Sequence, residues 1–184
     1  MPPSAPQTRI TALTQHLEPP ETMSSTATEA KPPITCHVLD TGAGRPAANI
    51  PVTLTLLPYR AQTPGQQQQQ HQQQPVQFTS ATNADGRVVS WTPSASTSTS
   101  TSTSTSPNPA PSLRALYTAL PPGTDTHWTL TFTTEPYFAA KGQDTFFPEV
   151  QVRFVVRAAQ RERGEHFHVP VLVGGCGYTA YRGS

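Results

Sequence analysis

The chain has 184 residues, of which 34% are hydrophobic and 12% charged, with 21 prolines and a formal net charge of +1. That length suits one core of ordinary size; a near-neutral balance without a Lys/Arg cluster leaves no electrostatic footprint for nucleic acid or an anionic membrane. No apolar run approaches the roughly 20 residues of a bilayer span or forms the core of a secretory signal, so a soluble intracellular protein is expected.

Residues 1–32 are rich in Pro, Ser, Thr and Glu, lack periodicity, and read as a disordered arm. Within it, Ile10, Leu13 and Leu17 fall at i, i+3 and i+7 and can share a helical face. Arg9-Ile10, five residues, then His16-Leu17 resembles the N-terminal peroxisomal targeting nonapeptide (9–17), which implies a peroxisomal location. Initiation at Met23 instead would give a cytoplasmic form without the signal.

Residues 33–184 read as one domain of short strands separated by turn signals. Ile34 to Leu39 comes first, closed by Asp40-Thr41-Gly42-Ala43-Gly44. Val52, Leu54 and Leu56 then alternate with Thr53 and Thr55, the pattern of a strand with one buried face. Val76 to Thr82 and Arg87 to Trp91 flank the turn Asn83-Ala84-Asp85-Gly86. Trp128, Leu130 and Phe132 alternate with threonines, and Glu135 to Lys141 forms a short helix closed by Gly142. Val150 to Val156, His166 to Val173 and Tyr178 to Arg182 complete an all-β, eight-stranded antiparallel sandwich with one short helix. Two low-complexity inserts, at about 61–75 (glutamine-rich) and 93–112 (Ser/Thr-rich), cannot bury apolar area and are expected to lengthen surface loops. Cys36 and Cys176 make no disulfide framework and no CxxC pair, and both read as buried free thiols.

Four clusters look chemical: Cys36-His37-Val38-Leu39-Asp40, Asp85-Gly86-Arg87, His166-Phe167-His168-Val169-Pro170 and Tyr181-Arg182-Gly183-Ser184. On a strand, residues i and i+2 share a face, so His166 and His168 project together while Phe167 and Val169 pack on the other side. Such a pair can be solvent-facing, can share a zinc ion if His37 supplies a third ligand, or can serve as general acid/base, because imidazole titrates near physiological pH. Arg87 and Arg182 offer planar forks of donors suited to a flat, oxygen-rich anion. A serine nucleophile is less attractive, since no GxSxG elbow exists.

In their order these clusters resemble the transthyretin-like 5-hydroxyisourate hydrolases. Cys36 to Thr41 with Gly44-Arg45-Pro46-Ala47 resembles that family's first strand and turn, Asn83 to Arg87 its central turn, and Phe146 to Val150 with His166 to Pro170 its late strands. Tyr181-Arg182-Gly183-Ser184 resembles the ending that separates the hydrolases from the hormone-carrying transthyretins. Phe167 stands where tyrosine is commoner. The resemblance implies a homotetramer with sites in a channel between subunits, acting on 5-hydroxyisourate in urate breakdown without metal or cofactor. It implies His37, Arg87 and His168 as catalytic residues, with His37 and Arg87 also binding substrate together with Tyr181, Arg182 and Ser184. His166 would support its neighbour.

Overall fold

Along Thr126–Thr133 the period of two seen in the sequence is a period of burial in the computed structural model: Thr126, Trp128, Leu130 and Phe132 are buried, while His127 is exposed and Thr129, Thr131 and Thr133 are half-exposed. Residues 31–58, 75–94 and 110–183 are described. The N-terminal arm with its targeting stretch, most of both inserts, and Ser184 lie outside them.

In chain order the described elements are β1 (Ile34–Asp40), β2 (Arg45–Pro46), β3 (Pro51–Leu57), β4 (Val76–Ala81), β5 (Arg87–Val88), β6 (Thr92–Pro93), α1 (Leu113–Ala119), β7 (Thr126–Thr133), α2 (Glu135–Ala139), β8 (Glu149–Val156), α3 (Ala158–Glu162), β9 (Phe167–Gly174) and β10 (Gly177–Ala180). They form two five-stranded sheets. One runs β10-β9-β1-β2 with β5 also paired to β1; the other runs β6-β4-β3-β7-β8. Between them lie Trp128, Phe78, Phe132, Ile34, Leu54 and Val38, each less than 2% exposed. Burying each of the larger side chains contributes on the order of 2 to 3 kcal/mol. The molecule is therefore an all-β sandwich, in which the strands β1, β3, β4, β7, β8, β9 and β10 fall where the alternation predicts them.

Three features differ from expectation. The first and ninth strands pair in parallel, Thr35 opposite His168 and His37 opposite Pro170, so the sheet is mixed. The predicted strand from Arg87 to Trp91 is only two residues long, and the chain then crosses to pair Thr92–Pro93 with β4. Two further helices are present. Ser112 caps α1 by accepting the Ala115 N–H at 3.2 Å, and the helix buries Leu113 and Tyr117, with Leu116 and Leu120 partly buried against the same core; the i, i+3, i+4, i+7 spacing of these four residues is a helical period that stands directly after the Ser/Thr-rich insert. Of the two cysteines, Cys36 is buried but Cys176 is exposed, because it lies in the turn between β9 and β10 rather than on a core-facing strand position.

Asp40, grouped with the chemical residues in sequence, is a structural tie. It is 2% exposed and accepts hydrogen bonds from Ala43 N–H (2.9 Å), Tyr137 Oη (2.9 Å) and Lys141 Nζ, joining β1 to α2. Burial alone would raise its pKa, but the bonds from Lys141, Ala43 and Tyr137 outweigh it and hold the carboxyl at about 2, against an ordinary 3.8. A depressed carboxylate stabilises the fold fully above the unfolded value and ceases to do so as pH falls through the folded one. Asp40→Asn is therefore expected to cost about 2 kcal/mol in urea unfolding at pH 7, with the gap to wild type closing as the pH is lowered from 3.8 toward 2. A gap that persists unchanged at pH 2 would show that something other than the carboxylate's charge is lost.

Candidate active site on the outer face of a sheet

Cys36 and Val38 face the core, so His37 between them faces outward from β1. Opposite it the register places Arg87, and the turn before Arg87 is built to deliver it there. Asn83 Oδ1 accepts the N–H groups of Asp85 (3.0 Å) and Arg87 (2.9 Å), and Gly86 turns the chain with φ +72°. The Gly86 carbonyl accepts the Val38 N–H at 2.8 Å. A Cβ at residue 86 would stand 2.3 Å from the Val38 carbonyl oxygen, so only glycine lets the turn lie this close to β1.

On the other side of β1, the parallel register brings β9 alongside with Phe167 and Val169 inward and His168 outward. Thr35 Oγ1 lies 2.8 Å from His168 Nδ1 and 2.9 Å from His166 Nε2, and the two imidazoles run nearly parallel at 18° with centroids 6.4 Å apart. The chain end returns along the same strand: Tyr181 N–H donates to the Pro170 carbonyl (3.2 Å) and Gly183 N–H to that of His168 (2.9 Å). A Cβ on Gly183 would fall 2.8 Å from His168 Cδ2, so this glycine leaves room for the imidazole ring.

These groups sense one another. Burial, then the Arg87 charge, lowers the pKa of both His37 and His168; His166 and His37 lower His168 further. His166 is lowered by burial and by Lys31, against a backbone hydrogen bond at Pro32. All three histidines are therefore biased toward the neutral form at pH 7, His37 and His168 beside a guanidinium and His166 beside Lys31. His37 also accepts help from the Asp85 backbone, which favours its protonated form, while its Nε2 is buried without a hydrogen-bond partner.

His37, Arg87, His166 and His168 are thus brought together on one half-open face. Arg182 is not brought to them: its guanidinium pairs with Glu165 (3.0 Å) and lies over the Phe167 ring, 5.2 Å from its centroid. Tyr181 and Arg182 instead line, with His168, a cavity of about 200 Å³ that opens at the side of the sandwich between β8 and the chain end. Ser184 is outside the described residues. A larger cavity, about 640 Å³, touches His166 but is otherwise lined by α1 and the segment around α3, including Tyr117, Arg161 and Glu165, and does not face His37 or Arg87. Among the described residues no three His, Cys, Asp or Glu side chains are arranged to hold a metal ion. Sequence reading passed over Thr35, and named Gly86 and Gly183 only as members of their motifs, without the spacing role the structure gives them. Thr35 was within reach, since it stands at i−2 from His37 on an alternating strand.

Residues 34–183 match the HIUase/Transthyretin family. A probable 5-hydroxyisourate hydrolase of Schizosaccharomyces pombe is 33% identical over 153 residues, covering 83% of this chain and 92% of its own. The 5-hydroxyisourate hydrolase of Mus musculus is 34% identical over 159 residues, covering 86% and 99%. Among solved structures, sea bream transthyretin in complex with thyroxine superposes with a TM-score of 0.53 at 16% identity, covering 82% of this chain and 94% of that one, a likeness of fold alone.

Proposed function

The chain belongs to the HIUase/Transthyretin family, and from that premise we propose that it is a 5-hydroxyisourate hydrolase, opening the six-membered ring of an oxidised purine in urate breakdown. The observation that carries this reading is the grouping of two outward-facing histidines with one arginine across β1, Arg87 opposite His37 on one side and His168 opposite Thr35 on the other, both rings held below their ordinary pKa by burial and by Arg87. Neutral imidazole can take a proton from water, and a guanidinium can hold the oxygens of a flat anionic substrate and the charge that grows on its carbonyl.

In this reaction water adds to a ring carbonyl, the amide C–N bond breaks, and the departing nitrogen takes back a proton. The product is an imidazoline carboxylate bearing a ureido group. His168 and His37 are the proposed proton carriers, Arg87 the oxyanion and substrate clamp, and His166 the support of His168. Tyr181, Arg182 and Ser184 are proposed to bind substrate. For Arg182 this requires release from Glu165, and an exposed ion pair of that kind is held weakly. The site lies on an open sheet face rather than in an enclosed cavity, which supports the further proposal that a second subunit covers it in a homotetramer. Residues 9–17 are proposed to direct the chain to peroxisomes, which a fluorescent fusion carrying residues 1–30 would test directly.

The reading is tested by following the ultraviolet decay of 5-hydroxyisourate, freshly made from urate by urate oxidase, with purified chelator-treated protein. Acceleration over the spontaneous rate is expected; none from folded protein would overturn it. The pH profile adds a second check. Because both histidines are held below their ordinary value of 6.5, activity should persist to below pH 6.5 before falling on the acid side. Arg87 is one of the charges that lower them, so in Arg87→Ala the residual activity should lose its acid limb at a higher pH than wild type. A limb that stays in place or moves down would separate Arg87 from these rings.

A further inference from the structure

Thr35 is 4% exposed and stands between the two imidazoles of β9, within hydrogen-bond distance of one nitrogen of each. A threonine hydroxyl has a single proton to donate, so between two ring nitrogens it donates to one and accepts from the other. The far end decides the direction. Phe167 N–H donates to the Pro33 carbonyl at 2.9 Å, which runs Pro32 alongside His166, and the Pro32 backbone favours a ring hydrogen turned toward it; a carbonyl can only accept. With His166 Nε2 engaged by Thr35, Nδ1 is the nitrogen left for that carbonyl, and it carries the hydrogen. A neutral imidazole has one N–H, so His166 Nε2 is a bare lone pair that takes the Thr35 proton. The Thr35 oxygen is then left to accept from His168 Nδ1–H, and His168 Nε2 is bare.

We propose that Thr35 is a positioning residue for the hydrolysis, fixing the His168 tautomer through the relay Pro32 carbonyl, His166, Thr35, His168, so that Nε2 is the nitrogen that takes the proton from the attacking water. The relay rests on the hydrolase reading for its catalytic meaning, but not for its chemistry. It gives His166 a definite task, transmitting the acceptor character of a backbone carbonyl two side chains away. It also explains why a hydroxyl stands at this position: valine has the shape but cannot carry the relay, and serine keeps it. His37 stands apart from this relay: its Nε2 is buried and has no hydrogen-bond partner, so Thr35 governs His168 alone.

The test is nitrogen-15 NMR of the histidine rings in the full chain, with wild type, Thr35→Val and Thr35→Ser, alongside kcat and KM for 5-hydroxyisourate. His168 should be the Nδ1–H tautomer in wild type and in Thr35→Ser. In Thr35→Val it should shift toward the Nε2–H form that free imidazole side chains prefer. Turnover in Thr35→Val should fall about ten- to a hundredfold with KM little changed, less than the loss of a charged orienting partner causes, and Thr35→Ser should restore it. An Nε2–H tautomer at His168 in wild type overturns the relay without needing any variant to fold. So does a Thr35→Val protein whose His168 tautomer and kcat match wild type. Wild-type protein that lacks hydrolase activity but shows the Nδ1–H tautomer overturns the functional reading and upholds the relay's chemistry.

Discussion

His168→Ala is expected to lower kcat/KM for 5-hydroxyisourate by about two orders of magnitude while leaving the thermal midpoint within a few degrees of wild type. The magnitude is the ordinary worth of a positioned general base, and the unchanged stability follows from placement: the ring lies on the outer face of its sheet, away from the core formed by Val169, Val171 and Phe167. Arg87→Ala should fall by a similar factor for a different reason, loss of the fork that holds the substrate's oxygens and the developing oxyanion. Lysine at 87 should recover little, since it offers a point charge where a planar pair of donors is needed. Activity within threefold of wild type in both alanine variants, measured on folded protein, would remove these residues from the chemistry and send the search for the base to His37.

Gly86→Ala should damage stability and catalysis together. The backbone there has φ +72°, and an alanine Cβ would press to 2.3 Å from the Val38 carbonyl oxygen, with Pro46 Cβ at 3.1 Å and Ala47 N at 3.2 Å. Backbone strain alone costs on the order of 1–3 kcal/mol. The clash is with main chain rather than a flexible side chain, so the turn must back away from β1. Its Val38 N–H bond lengthens and Arg87 leaves its register with His37. A displacement of about 1 Å at a catalytic group is worth up to ~10²-fold in rate. Gly123→Ala is the control, because Gly123 has φ +69° but nothing within 4 Å of an added Cβ. It should show the strain in its melting temperature and no loss of turnover. If the two variants melt and turn over alike, the close approach of the turn to β1 is not what holds Arg87 in place.

The sheet built on β3, β7 and β8 was legible because burial on one face imposes a period of two, and that period is written without interruption in Val52 to Leu56, Trp128 to Phe132 and Val150 to Val156. Two helices went unread for different reasons. The one at Leu113–Ala119 is written in the chain, with Leu113, Leu116, Tyr117 and Leu120 at i, i+3, i+4 and i+7 behind Ser112, but it abuts the Ser/Thr-rich insert expected to run to residue 112; the one at Ala158–Glu162 is held by backbone bonds to Arg157 and by Asp125, which accepts the Ala158 N–H at 2.8 Å. Asp125 is distant in sequence and carries no mark of that role. Asp40 shows the converse: its place beside His37 in the sequence suggested chemistry, but the partners that assign it to stability, Tyr137 and Lys141, are about a hundred residues away.

By itself the sequence determined the sandwich class, the shared face of His166 and His168, and the family. Each of these follows from strand alternation or from short motifs, which are local properties of the chain. Only the tertiary structure decided that β1 and β9 run parallel, that Thr35 stands between two imidazoles, that Arg87 faces His37, and that Arg182 is drawn to Glu165 instead. These are matters of register and side-chain partnership between segments far apart in the chain. A shift of one residue in strand pairing exchanges the two faces of a strand, so such partnerships are settled by how the whole core packs and cannot be read from either segment alone.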